Sequence, residues 1–291
     1  MSPIGLTTNR WLRLSAACAP KSLRMLLETR RFSRSLRRRS SLETRYGWTS
    51  PFNGSSFEAS HSQETSMTRL IDLSYPLQTD TPPWPGNPPV EVTVLNAIPA
   101  SRGVGRRPRP GDPRHVNVTA FRTCNHTGTH MDAPTHFYHG LPTIDQIPLE
   151  HCVGPAVLID VTHVAPRAEI AAADLAPFEE SIVASRKIVL RTGWSSHWGE
   201  ADYFVDYPVL AEATAVWLVE RGVHLIGLDT PSVDRDPNPA HYAILESRAV
   251  IVENLTNLEV LPAGLFELIV LPLPLRGLDG SPVRAVARVS G

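Results

Sequence analysis

Eleven consecutive residues, His126-Thr127-Gly128-Thr129-His130-Met131-Asp132-Ala133-Pro134-Thr135-His136, carry three imidazoles and one carboxylate, all on even-numbered positions. In an extended segment, where side chains alternate, the four would share one face. A helix fits badly: at about 100° per residue Asp132 would point away from His130, and Pro134 would break the hydrogen-bond ladder from inside. A straight strand would leave His126 and His130 roughly 13 Å apart at about 3.3 Å per residue. The backbone must therefore bend between them, and Gly128 is the residue that tolerates a bulge or a positive φ. Imidazole and carboxylate donors gathered in this way suit a divalent ion such as zinc, manganese or iron, with positions left open for water. Cys124 has the same parity but is expected as a small buried strand residue.

A second set of donors lies farther along the chain. In Asn238-Pro239-Ala240-His241 an Asn cap followed by Pro at the first helical position puts His241 in the first turn of a helix running to about Ser247. That helix hands over to a strand, Val250-Ile251-Val252-Glu253. Its outward rise at about 1.5 Å per residue and the return at about 3.3 Å per residue nearly cancel, so His241 and Glu253 can become neighbours.

These donors need elements to hold them. Val90–Leu95 and Val116–Phe121 alternate like half-buried strands, whereas Ala156–Val161, Ile188–Leu190 and Val223–Leu228 are solid apolar runs of buried strands. Glu212–Arg221 has a helical apolar pattern stopped by Gly222, and Leu268–Leu275 and Val283–Val289 return to strands. The sum is a mixed α/β domain rather than a βαβ array. Two loops stand out. Thr81–Pro89 is stiffened by prolines around Trp84 and can present that ring at a site mouth. The loop from Gly103 to Arg114, rich in arginine and proline, reads as a solvated surface insertion.

Composition narrows the function classes. The net charge of −1 conceals an asymmetry: residues 1–66 carry eleven Lys and Arg against four acids, so residues 67–291 are acidic, which argues against a nucleic-acid-binding surface. Three cysteines without CxxC spacing give no disulfide framework and no zinc ribbon. No apolar run reaches the roughly 18 residues of a membrane span, so no membrane partner is expected. Residues 1–66 have the Arg- and Ser-rich composition of an organelle transit peptide and no apolar period continuous with the body. Either they form an unpacked extension or translation begins at Met67. The first case makes a mitochondrial location the alternative to a cytoplasmic one.

The eleven-residue motif resembles the HxGTHxDxPxH signature of the cyclase family of metal-dependent hydrolases, to which bacterial kynurenine formamidase and isatin hydrolase belong. The resemblance spans 67–291 and takes in Asp72-Leu73-Ser74, Trp84-Pro85-Gly86, Arg191-Thr192-Gly193-Trp194, Gly227-Leu228-Asp229-Thr230-Pro231-Ser232, Glu253-Asn254-Leu255 and Gly280-Ser281-Pro282-Val283-Arg284. It implies an α/β fold of the swivelling β/β/α type and an oligomer, a homodimer or homotetramer. By position it implies that His126, His130 and Asp132 hold a first metal, that Asp132, His241 and Glu253 hold a second, and that His136 is the general acid/base. Trp84 would meet the substrate. The cofactor implied is one or two divalent ions per chain, Zn²⁺ first and Mn²⁺ second. Asn87 stands where formamidases commonly have Asp, and Asp234–Ala240 departs from their loop, so the departures touch the substrate rather than the metal set.

The chemistry such a set supports is hydrolysis of a small-molecule amide by activated water, with an imidazole shuttling the proton to the leaving nitrogen. An aryl formamide such as N-formylkynurenine is the first substrate expected and a cyclic amide of the isatin type the second. A polyketide-type cyclase and a metal-binding protein without turnover are the remaining alternatives, though His136 has no purpose in the latter. A serine hydrolase lacks its G-x-S-x-G elbow, since Gly193-Trp194-Ser195-Ser196-His197 has no second Gly.

Overall fold

Val157, Ile159, Ile188, Leu190, Ile226, Leu228 and Ile251 turn one way from the parallel strands of a central sheet, and Ala156, Leu158, Val189, Leu225, Val250 and Val252 turn the other. Burial on both faces explains why these strands read as solid apolar runs. The computed structural model describes residues 68–290 except 106, 108 and 113–115, so the expectations for 1–66 and part of the 103–114 loop lie outside the described residues.

Twelve strands occur among the described residues: β1 (Thr68–Asp72), β2 (Glu91–Asn96), β3 (Val118–Arg122), β4 (His130–Asp132), β5 (Val153–Asp160), β6 (Glu169–Ile170), β7 (Lys187–Arg191), β8 (Val209–Leu210), β9 (Leu225–Leu228), β10 (Val250–Glu253), β11 (Gly264–Pro272) and β12 (Gly280–Ser290). Eight form one sheet in the order β1-β12-β11-β5-β7-β9-β10-β4, and β4 also pairs with β12, which closes the sheet on itself. The pairs β5–β7, β7–β9 and β9–β10 are parallel, and β1, β4, β11 and β12 join antiparallel. The mixed α/β architecture is the one expected. Inside the closure lies a core that includes Met131, Val252, Phe266, Leu268, Val270, Ala285 and Ala287. Outside it, helices Glu179–Ser185, Glu212–Glu220 and Pro239–Glu246 cover the parallel strands through Ile182, Ala215, Leu218, Ile244 and Leu245. No helix among the described residues is long and apolar enough to cross a membrane.

One expectation fails in an informative way. β2 and β3 pair only with each other, and neither buries a face: Val92, Val94, Leu95, Val118 and Phe121 are all exposed. Alternation in sequence foresees a side facing the core, but this ribbon projects from the sheet, and no described residue covers it.

Candidate metal centre

β4 is held between two strands, with Glu253 of β10 opposite His130 and Gly280 of β12 opposite Asp132. Residues facing each other across an antiparallel pair project from the same side. His130, Asp132 and Glu253 therefore share the side covered by helix Pro239–Glu246, while Met131 and Val252 point into the inner core. The helix adds His241 from above. His130 Nε2 lies 3.3 Å from Asp132 Oδ1 and 3.4 Å from Glu253 Oε2. His241 Nε2 lies 3.5 Å from Glu253 Oε1 and 3.8 Å from Asp132 Oδ2.

Both rings are oriented from behind. His130 Nδ1 donates to the Gly128 carbonyl at 2.9 Å, and His241 Nδ1 bonds Asp234 Oδ1 at 2.5 Å, so each presents Nε2 to the site. Gly128 has φ +65°, which makes it the bend the sequence requires. Asp234 does more than orient a ring. Its Oδ2 accepts the backbone N–H groups of Ala240 and His241, at 2.6 and 3.1 Å, and so caps the helix. The expected Asn238 cap is not used: Asn238 sits at φ +62° and makes no side-chain cap bond. The reason is that a carboxylate four residues upstream reaches the same donors and the histidine besides.

The donor set fits a divalent ion. Two ligands bound at about 2.0–2.2 Å to one ion stand roughly 3.0–3.5 Å apart, whereas a charge-assisted hydrogen bond is about 2.7–2.9 Å long. Within the groups His126/His130/Asp132 and Asp132/His241/Glu253, the His130–Asp132 and His241–Glu253 distances fall in the first interval, His241–Asp132 is longer, and His126–Asp132, at 2.7 Å, falls in the second. The charge balance agrees. Burial disfavours a charged His126, yet Asp132 and Asp279 outweigh burial and push its pKa up to about 10. Burial likewise opposes His241, and Asp132, Asp234 and Glu253 nonetheless raise it. Burial would raise Asp132, but His126 and His130 hold it well below the usual carboxylate range. Clustered carboxylates thus demand positive charge at this corner, and a divalent cation meets that demand in place of protons.

Beside this ring of donors stands a second cluster. His126 Nδ1 is 2.7 Å from Asp132 Oδ1, and its Nε2 is 3.1 Å from Asp279 Oδ2. His136 Nδ1 reaches the same Asp279 oxygen at 3.2 Å, and its ring stacks on that of His126 with centroids 4.0 Å apart. Burial lowers the pKa of His136, with His126 and His241 reinforcing burial against the pull of Asp132. A neutral imidazole results, able to accept a proton.

All the residues singled out in the sequence, Trp84, His126, His130, Asp132, His136, His241 and Glu253, line one cavity of about 450 Å³. Only His130 and Asp132 owe this to strand alternation. His126 lies in a turn before β4, and His136 lies in the 3-10 turn Pro134–His136 after it, so the single extended face is replaced by a strand with a turn at each end. Cys124 is corrected too. It is half-buried in the cavity wall rather than a core strand residue, because β3 ends at Arg122. Sequence reasoning missed Asp234 and Asp279, carboxylates whose only signal was position, one near the His241 helix and one directly before Gly280. The mouth is aromatic: Trp84 meets Phe204 edge-on at 5.6 Å, and Phe137 stacks on His241 at 4.7 Å.

Comparison with known proteins places this geometry. A family model described as putative cyclase matches residues 71–235. The chain is 35% identical over 233 residues to a kynurenine formamidase of Bordetella petrii, covering 77% of this chain and all of that protein. It is 37% identical over 225 residues to one of Bacillus mycoides, covering 76% and 98%. Its structure is similar to that of isatin hydrolase A from Labrenzia aggregata bound to benzyl benzoate, with TM-score 0.65 and 27% identity over 77% of this chain and 94% of that one. A family model that covers more than half the chain and relatives matched over nearly their whole length leave one assignment: the chain belongs to the cyclase family.

Proposed function

We propose that this protein is a metal-dependent hydrolase of amide bonds and that its substrate is an aryl formamide of the N-formylkynurenine kind. The observation that carries the reading is the convergence of His130, Asp132, His241 and Glu253, from three separate segments, at ligand-to-ligand spacing on an aromatic-walled cavity. The formamidase relatives, 35–37% identical, support the substrate class. With these N and O donors Zn²⁺ is the first choice and Mn²⁺ the second, one or two ions per chain.

His130, Asp132, His241 and Glu253 would hold metal, with His126 beside Asp132 completing a second group. A divalent ion held there would supply Lewis acidity and lower the pKa of water from about 15.7 toward 7. His136, neutral and facing the cavity, takes a proton from the attacking water and returns it to the leaving nitrogen. Asp279 fixes the tautomer that leaves His136 Nε2 free for this task. Trp84, Phe137 and Phe204 give the aryl group apolar faces to rest on.

A cyclic amide is the second reading, favoured by the likeness to isatin hydrolase A and by Asn87 in the cavity wall. The exposed β2–β3 ribbon supports a homodimer or homotetramer, since an isolated two-stranded ribbon with apolar side chains is marginal alone. The test is a panel of N-formyl, lactam and ester substrates assayed with added Zn²⁺ or Mn²⁺. Turnover of the N-formyl compounds alone supports the proposal, and turnover of lactams alone replaces it with the second reading.

A further inference from the structure

We infer that Asn254 donates a hydrogen bond from its side-chain amide to the substrate carbonyl oxygen, as a catalytic residue acting alongside the metal. The inference rests on the amide-hydrolase reading. Asn254 follows Glu253 directly, is 5% exposed and lines the same cavity. It is fixed on every side. Its backbone N–H donates to the Thr230 carbonyl at 2.9 Å, its carbonyl accepts the Thr129 hydroxyl at 2.6 Å, and its φ of +57° turns the side chain out of the strand direction. The buried Tyr203 hydroxyl donates to Oδ1 at 2.8 Å, which sets the amide plane.

The other end of the amide is left over. Nδ2 approaches only His130 Nδ1, at 3.5 Å, and that nitrogen already gives its hydrogen to the Gly128 carbonyl at 2.9 Å. Two donors cannot satisfy each other. The Nδ2 hydrogens therefore have no acceptor among the described residues, in a nearly buried group at a cavity wall formed also by His130, Asp132 and Glu253. A buried donor without a partner costs about 1–3 kcal/mol. An oriented one is repaid where negative charge develops.

The reaction supplies such a charge. As the water oxygen bonds to the formyl carbon and gives its proton to His136, the carbonyl π pair moves onto the carbonyl oxygen. When that pair returns, the C–N bond breaks, the nitrogen takes the proton from His136, and an arylamine leaves together with formic acid, which gives its remaining proton to solvent as formate. A fixed donor strengthens toward the oxyanion more than toward the neutral carbonyl, so it acts on kcat rather than on KM.

Two variants test this. Asn254→Gly removes the amide while tolerating the positive φ, and Tyr203→Phe keeps the core volume but frees the amide to rotate. With N-formylkynurenine, Asn254→Gly should retain wild-type metal content and a KM within about threefold while kcat falls by about 10²–10³. Tyr203→Phe should lower kcat by a smaller factor. Calorimetric affinity for an N-aryl phosphonamidate, whose tetrahedral phosphorus mimics the adduct, should weaken in Asn254→Gly by at least about tenfold. Unchanged kcat, equal phosphonamidate affinity in the wild type and Asn254→Gly, or loss of metal from the variant would overturn the inference. If the wild type cleaves no formamide yet binds the phosphonamidate more tightly than the variant, the proposed function fails and the donor stands.

Discussion

The backbone of Gly280 passes directly beneath the ring of His126. A methyl group on its α-carbon would stand 2.7 Å from Cε1, 3.2 Å from Nε2 and 3.0 Å from the Met131 carbonyl oxygen. The strand that closes the sheet thus needs a glycine at the point where it supports the candidate metal centre. Gly280→Ala should push His126 away from Asp132 and weaken metal binding by roughly 10–100-fold, the usual cost of disturbing a ligand's support. Titration with a competing chelator reads this directly. Wild-type affinity would mean that His126 moves without consequence.

Asp132 is expected to matter most among the ligands. Its Oδ1 faces His126 and His130, and its Oδ2 faces His241. Elemental analysis of Asp132→Ala should show loss of most metal, whereas His241→Ala or Glu253→Ala should keep about one equivalent. If the wild type carries a single ion per chain, the assignment of His241 and Glu253 as ligands is wrong.

His136 should separate from its neighbours by role. Loss of its imidazole in His136→Ala leaves the donors at His130, Asp132, His241 and Glu253 untouched, so metal stays while turnover falls by roughly 10²–10⁴. Asp279→Asn keeps the shape of the partner that orients His136 and should cost less, about 10-fold, with KM little changed. Equal losses in the two variants would make Asp279 as important as the base itself.

His224 offers a pH-dependent stability term away from the centre. Burial lowers its pKa to about 4, reinforced by His151 and Lys187, against about 6.5 for a free imidazole. The unfolded chain then binds the proton more readily, so folding loses stability as pH falls from 6.5 toward 4. The melting temperature of His224→Gln should decline less steeply over that interval than that of the wild type. Parallel curves would assign acid sensitivity to other groups.

The described core begins with β1 at Thr68 and closes through β4, β10 and β12. We expect removal of residues 1–66 to leave melting temperature and turnover unchanged. A loss of several degrees would refute an independent domain from 67 onward.

The sequence by itself determined what depends on short spacing. His130 and Asp132 two residues apart share a face when extended, the chain must bend between His126 and His130 with Gly128 the place for it, and a short helix followed by a strand can return His241 toward Glu253. Solid apolar runs likewise announced strands buried on both sides. Tertiary structure alone decided the rest. Pairing of β4 with both β10 and β12 brings Glu253 opposite His130 and Asp279 against His126 and His136. Asp234 caps the helix in place of Asn238. The alternation of β2 and β3 reads as a buried face yet stands exposed. Local spacing fixes directions along one element because backbone geometry has a period. Which elements meet, and in what register, is set by the packing of the whole core, and no single stretch of sequence contains it.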